Sequence, residues 1–118
     1  MKRDLRIRRR SEFQRIYRAG RSHANRVAVL YVLRETGGTA RVAVAAGRKL
    51  GNAVVRNRAK RRLREAIRLL WDRVTPGAQL LLIARVGVLE APFETVQHKL
   101  RELLERAGVA VKPGEGDR

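Results

Sequence analysis

Between residues 53 and 71, apolar side chains recur at steps of three and four. Val55, Ala59, Leu63, Ala66, Ile67 and Leu70 form one stripe, the pattern of a helix with one buried face. Asn57, Arg58, Lys60, Arg61, Arg64 and Arg68 fall on the opposite side. Arg56 and Arg62 flank the stripe, where long stems can lie along apolar surface while the charged heads reach out. Gly51-Asn52 supplies a loop and an N-cap just before the helix, and Trp71 continues it as a packing anchor.

Shorter patterns flank this helix. Ser11-Glu12-Phe13-Gln14 reads as a capping box with Ser11 as N-cap. It opens a short helix that carries Phe13, Ile16 and Tyr17 on one side and ends at Gly20. Residues 27–33 and 41–46 have the β-branched content of strands. Thr36-Gly37-Gly38-Thr39 between them predicts a hairpin loop, and so an antiparallel pair. Residues 21–25 add a short strand before the first. The second strand has a bulky Val42/Val44 face and a small Ala43/Ala45 face, which admits either a helix or a nucleotide. After the stop at Thr75-Pro76-Gly77, residues 79–85 hold a continuous apolar run from Leu80 to Ala84, a strand buried on both faces. Strand, helix, strand in that order implies a parallel pair with a crossover. Pro92 opens the last helix, Phe93, Val96, Leu100, Leu103, Leu104 and Ala107 form its buried stripe, and Gly108 is its C-cap.

The expected fold is therefore α+β: a two-layer sandwich of a small mixed sheet and three helices, in the order α-β-β(-β)-α-β-α. Residues 11–110 make a single domain, a size suited to one modest core. Residues 1–10 are too charged to bury and predict a basic arm that orders on binding, with Leu5 and Ile7 pinning it. Residues 111–118 read as a disordered tail.

Charge sharpens this picture. The 118 residues carry a net charge of +17. Residues 1–26 hold ten Lys/Arg against two acids, and residues 41–73 hold eleven against two. Elsewhere the charges balance, so a basic surface should lie beside a neutral one, which favours a polyanionic partner. The central helix is the extreme case. A helix N-terminus favours carboxylates, yet Arg56, Arg58, Lys60, Arg61 and Arg62 precede the first acid, Glu65. Like charges three and four apart repel by roughly 0.2–0.5 kcal/mol per pair. Such crowding makes sense if phosphates are brought to this end, where free N–H groups already attract them and arginines add bidentate contacts.

Candidate catalytic chemistry is sparse. His23 and His98 are far apart in the chain, there is no cysteine, and no paired-carboxylate or metal-ligand spacing occurs. A cysteine-free chain is compatible with the cytoplasm, and no apolar run approaches the ~18–20 residues that span a bilayer. Phe13 and Tyr17, four apart, present neighbouring rings. They suit either a core or a base-stacking surface.

At the central helix the sequence resembles a known family. The run Lys49-Leu50-Gly51-Asn52-Ala53-Val54-Val55-Arg56-Asn57-Arg58-Ala59-Lys60-Arg61 is similar to the Arg-Asn-Arg signature of the bacterial ribonuclease P protein subunit. The resemblance extends to Phe13, Tyr17, Gly20 and the Asn25-Arg26 pair, and its element order reaches about residue 108. It implies a left-handed β-α-β crossover. It also implies a subunit that assists a catalytic RNA in removing the 5′ leader of precursor tRNA, with Mg²⁺ on the RNA and no small-molecule substrate or membrane involved. Arg56, Asn57, Arg58, Lys60, Arg61, Arg62, Arg64 and Arg68 would then contact the catalytic RNA. Phe13, Tyr17 and Tyr31 would line a cleft for the single-stranded leader, and Arg48 and Lys49 would bridge the two. The residues themselves leave room for a ribosomal-type RNA-packing protein, a DNA-binding module or a stand-alone nuclease.

Overall fold

The computed structural model describes residues 5–35 and 38–110. The first four residues, Thr36 and Gly37 of the expected hairpin loop, and the tail from residue 111 lie outside the described residues. The elements are α1 (Arg10–Ala19), β1 (Arg21–Ala24), β2 (Ala28–Arg34), β3 (Arg41–Ala46), α2 (Ala53–Leu70), β4 (Ala78–Ala84), α3 (Gly87–Glu90) and α4 (Phe93–Arg106). The one-turn helix α3 was not anticipated.

The sheet order is β1-β2-β4-β3, which corrects the expected hairpin between β2 and β3. Those strands do not pair. β4 lies between them, antiparallel to β2 with Leu30 opposite Leu82, and parallel to β3 with Val42 opposite Leu80. The reason is apolar content. β4 is buried along nearly its whole length on both faces, so it takes a central position flanked on both edges. β3, with Arg41 and three alanines, goes to the edge. The parallel β3-α2-β4 crossover is present as expected.

The main core lies between one sheet face and helices α2 and α4. Leu30, Val32, Val42, Leu80 and Leu82 meet Leu63, Ile67, Leu70, Leu100, Leu103 and Leu104 there, with Trp71 half-buried at its margin as an anchor. α1 crosses part of the other face. Its Ile16 joins Ile7, Ala43 and Leu81 in a smaller cluster, with Phe13, Tyr31, Leu33 and Ile83 half-buried around it. The small Ala43 face of β3 thus admits a helix.

The described part of the N-terminal stretch is seated on this body. Ile7 is buried, its N–H donates to the Val42 carbonyl at 2.8 Å, and Arg6 bridges to Val42 in parallel. That docking delivers the chain to α1 early. The helix starts at Arg10, Arg9 is its N-cap without a side-chain bond, and Ser11 is an exposed first-turn residue. Glu12, inside the expected capping box, instead pairs with Arg41 across the cluster. Gly20 ends α1 at φ −76°, so no left-handed backbone is involved. The constraint is space: a Cβ there would sit 2.5 Å from the Ile16 carbonyl oxygen and 2.9 Å from that of Val32. Gly108 does take φ +74°. Its N–H bonds the Glu105 carbonyl and the Val109 N–H bonds that of Leu104, a Schellman close to α4.

A second close approach fixes how α2 meets the sheet end. Asn25 bonds the Val27 N–H and the Lys99 carbonyl, tying the β1–β2 turn to α4. The Gly87 N–H donates to the Arg26 carbonyl, and a Cβ on Gly87 would fall 2.3 Å from that oxygen. Arg62 of α2 then reaches α3, where its Nε donates to the Val88 carbonyl at 2.7 Å and its Nη2 to the Ala91 carbonyl at 2.6 Å. Its guanidinium also lies 5.9 Å from the centre of the Phe93 ring, within cation–π range.

These contacts predict a stability pattern. Gly87→Ala should cost about 2–3 kcal/mol through overpacking, whereas Gly47→Ala, with open space around it, should be near neutral. Arg62→Ala should cost about 2 kcal/mol because two part-buried carbonyls lose a charged donor. Arg58→Ala, on the exposed face, should stay within about 0.5 kcal/mol of the parent. Denaturant unfolding of the four variants measures the pattern.

Candidate nucleic-acid interface

The cap of α2 forms as its sequence dictates. Asn52 Oδ1 accepts from the Val55 N–H at 3.1 Å, and Gly51, at φ +141°, turns the chain into that cap. Ala59, Leu63, Ala66, Ile67 and Leu70 are buried, and Val55 is half-buried. The stripe therefore fixes which side of the helix meets solvent. Asn57, Arg58, Arg61, Arg64 and Arg68 are exposed, while Arg56 and Lys60 are half-buried.

Four of these residues line one groove. Asn57, Arg61, Arg64 and Arg68, at steps of three and four along α2, face Arg6 across a space of about 390 Å³. Glu65 is the acid of this groove, and Arg68 engages it with both nitrogens, Nη2 at 2.5 Å and Nε at 3.1 Å. That hydrogen bond, with the charge behind it, holds the Glu65 carboxyl below its usual pKa and the Arg68 guanidinium above its own. Both side chains are well exposed, so the pair is weak and can open to a stronger anion.

A second hollow, about 140 Å³, continues from the first. Arg6, Ile7, Phe13, Val42, Ala43, Val44 and Arg64 line it. Arg6 and Arg64 border both spaces, so the cationic face of α2 runs without a break to the Phe13 ring. Farther along α1, Tyr17 is 52% exposed and meets Tyr31 of β2 with ring centroids 4.9 Å apart and planes tilted by 37°. Burial, then the neighbouring Tyr17 phenol, raises the pKa of Tyr31. All three aromatics lie on the α1 side of the sheet. Phe13 and Tyr31 are half-buried against the small cluster, so they serve as core and surface at once. Val29, Ala45 and Ile83 sit in one row of the sheet, side by side and half-buried. They extend the same face past the row of Tyr31 as an apolar floor.

Of the other expected cations, Arg56, Arg58 and Lys60 stay on α2 without lining either space, and three more lie off this face. Arg62 turns away from the groove and donates to the Val88 and Ala91 carbonyls. Arg48 and Lys49 occupy an exposed 3-10 turn between β3 and α2 and line neither space. Arg6 and Arg64 occupy the bridging position instead. Arg6 was hidden in the sequence by its place in an arm, and the buried Ile7 beside it was the available signal.

The chain matches a protein-family model described as Ribonuclease P over residues 1–108. The ribonuclease P protein component of Symbiobacterium thermophilum is 55% identical over 115 residues, covering 97% of this chain and 100% of that protein. One from Bacillus cereus is 39% identical over 110 residues, covering 92% and 96%. Among solved structures, the RNase P protein of Staphylococcus aureus superimposes with a TM-score of 0.77 at 32% identity, covering 91% of this chain and 98% of that one. The RNase P protein of Thermotoga maritima gives 0.76 at 30% identity, covering 86% and 96%. A family model spanning nearly the whole chain, together with relatives matched almost end to end, establishes that this chain belongs to the ribonuclease P protein family.

Proposed function

We propose that the chain is the RNA-binding subunit of ribonuclease P, assisting a catalytic RNA in endonucleolytic removal of the 5′ leader from precursor tRNA. The observation that carries this reading is the continuous path from the α2 cations through Arg6 and Arg64 to Phe13. Phosphates of the catalytic RNA lie along Asn57, Arg58, Arg61, Arg64 and Arg68, with Arg56 and Lys60 at the margin and Arg48 and Lys49 beside the helix N-terminus. The leader passes over Phe13, Tyr17 and Tyr31.

The division of labour follows from the chemistry of each part. A polyanion of RNA needs its repulsion from a second RNA reduced before substrate can dock, and clustered arginines supply that charge. A leader whose sequence varies needs contacts that ignore base identity, and aromatic faces stack on every base for about 1–3 kcal/mol each. Hydrolysis then belongs to Mg²⁺ held by the RNA, with no catalytic side chain contributed by the protein. The complex works in the cytoplasm, where precursor tRNA is made.

Two measurements test these roles. Replacing Arg58 and Arg61 together by alanine should weaken binding to ribonuclease P RNA and lower the slope of log K against log salt by about 1.4–1.8 in total. An unchanged slope would remove α2 from the RNA contact. Tyr17→Ala should weaken binding of leader-bearing tRNA to the holoenzyme by about 1–2 kcal/mol and leave mature tRNA nearly unaffected. Phe13→Leu should show the same selectivity more weakly, since the ring also packs against Ile16 and its neighbours. Equal losses for both tRNAs would return the rings to a packing role.

A further inference from the structure

A further hollow lies away from α2. It measures about 470 Å³ and sits at the β1 edge of the sheet, the edge opposite β3. Arg21, His23, Arg34 and Arg106 line it, together with Ala19 and Ala107. Val32 and Leu33 complete the lining, so none of its residues is acidic. Arg21 and His23 alternate along β1 opposite Val32 and Leu30, and therefore share the sheet face that carries α4.

Two of the arginines here are held by backbone carbonyls, as Arg62 and Arg85 are, and not by carboxylates. Arg15, Arg41 and Arg68 each pair with a carboxylate, of Glu35, Glu12 and Glu65. Arg34 instead donates through Nη2 to the Gly108 carbonyl, and Arg106 donates through Nη1 to the Ala24 carbonyl at 3.2 Å. A carbonyl fixes a guanidinium without cancelling its charge, and each guanidinium has five N–H donors. The C-terminal end of α4 offsets roughly half a unit of charge, which leaves most of the charge of three arginines uncompensated. Holding several fixed cations around one space is unfavourable by like-charge repulsion unless an anion enters it. Among the described residues Arg21 holds no carbonyl or carboxylate and lines the rim.

We propose that this pocket is a second phosphate site, which takes the backbone of an RNA strand at the sheet edge remote from α2. The inference rests on the reading that the partner of this chain is RNA. It gives the protein two cationic contacts on opposite edges of one rigid sheet, so that RNA is gripped from both sides. Fork-shaped guanidinium donors match the oxygens of a phosphodiester, and the uniform sign of the rim suits a polyanion strand.

The test uses the full chain. Inorganic phosphate, followed by amide NMR, should shift Arg21–Ala24 and Arg106–Gly108, and Arg21→Ala should weaken that response several-fold. With ribonuclease P RNA, Arg21→Ala should lower the salt slope by about 0.7–0.9, Arg21→Lys should restore it, and the loss should add to that of the Arg58/Arg61 double variant. Arg34 and Arg106 are left intact because they hold the Gly108 and Ala24 carbonyls. The proposal is overturned if phosphate shifts only α2 amides, or if Arg21→Ala leaves the RNA slope unchanged while the double variant changes it. It is equally overturned if Arg21→Ala weakens capture of an acidic peptide such as poly-glutamate but not of RNA, which would make the site a protein contact. Loss of neither RNA slope, in Arg21→Ala or in the double variant, would instead sink the RNA reading as a whole.

Discussion

Mutual repulsion along α2 is the constraint to which the rest of the structure answers. The helix carries Arg56, Arg58, Lys60, Arg61, Arg62, Arg64 and Arg68 with one acid, Glu65, and its N-terminal end adds its own partial positive charge. Such a helix has poor intrinsic stability. It persists because Ala59, Leu63, Ala66, Ile67 and Leu70 are buried in the main core, where each large side chain contributes about 1.5–3 kcal/mol on removal from water. The core thus holds a concentration of charge that the helix alone would not sustain. The charge is available for a polyanion because few local acids consume it.

The same economy explains where the cations are not free. Arg62 is turned inward to bond the carbonyls of Val88 in α3 and of Ala91 just past it, which anchors α2 between the sheet end and α4. Arg41 is spent on Glu12, securing α1. These ties orient two surfaces at a fixed relation: the α2 face, and the α1 side of the sheet bearing Phe13, Tyr17 and Tyr31. An interface that must hold one RNA while admitting a strand of another benefits from such rigidity, because little ordering remains to be done on binding.

Much of this was legible from residue spacing. The stripe of α2, its Asn52 cap, the doubly buried β4 and the last helix with Gly108 all follow from local pattern, and each appears as expected. The strand order was not legible. Pairing of β2 with β3 is the local choice, but insertion of β4 between them depends on comparing apolar content across distant segments, which no single window contains. The α1 cap failed for a similar reason: Ser11 is a good N-cap in isolation, yet docking of Ile7 on Val42 sets the helix start. At the site, the grouping of Asn57, Arg61, Arg64 and Arg68 follows from helical periodicity. Arg6 reaches them only through the tertiary contact of its neighbour, and Arg62 is diverted by carbonyls some 26–29 positions away.

The most direct test of the central claim is tethered hydroxyl-radical cleavage within the assembled holoenzyme. The chain has no cysteine, so Asn57→Cys and Tyr17→Cys each create a unique attachment point for an iron chelate. A probe at position 57 should cut the ribonuclease P RNA, and a probe at position 17 should cut the leader of bound precursor tRNA. Cleavage of the leader from position 57, or of neither RNA from either position, would contradict it.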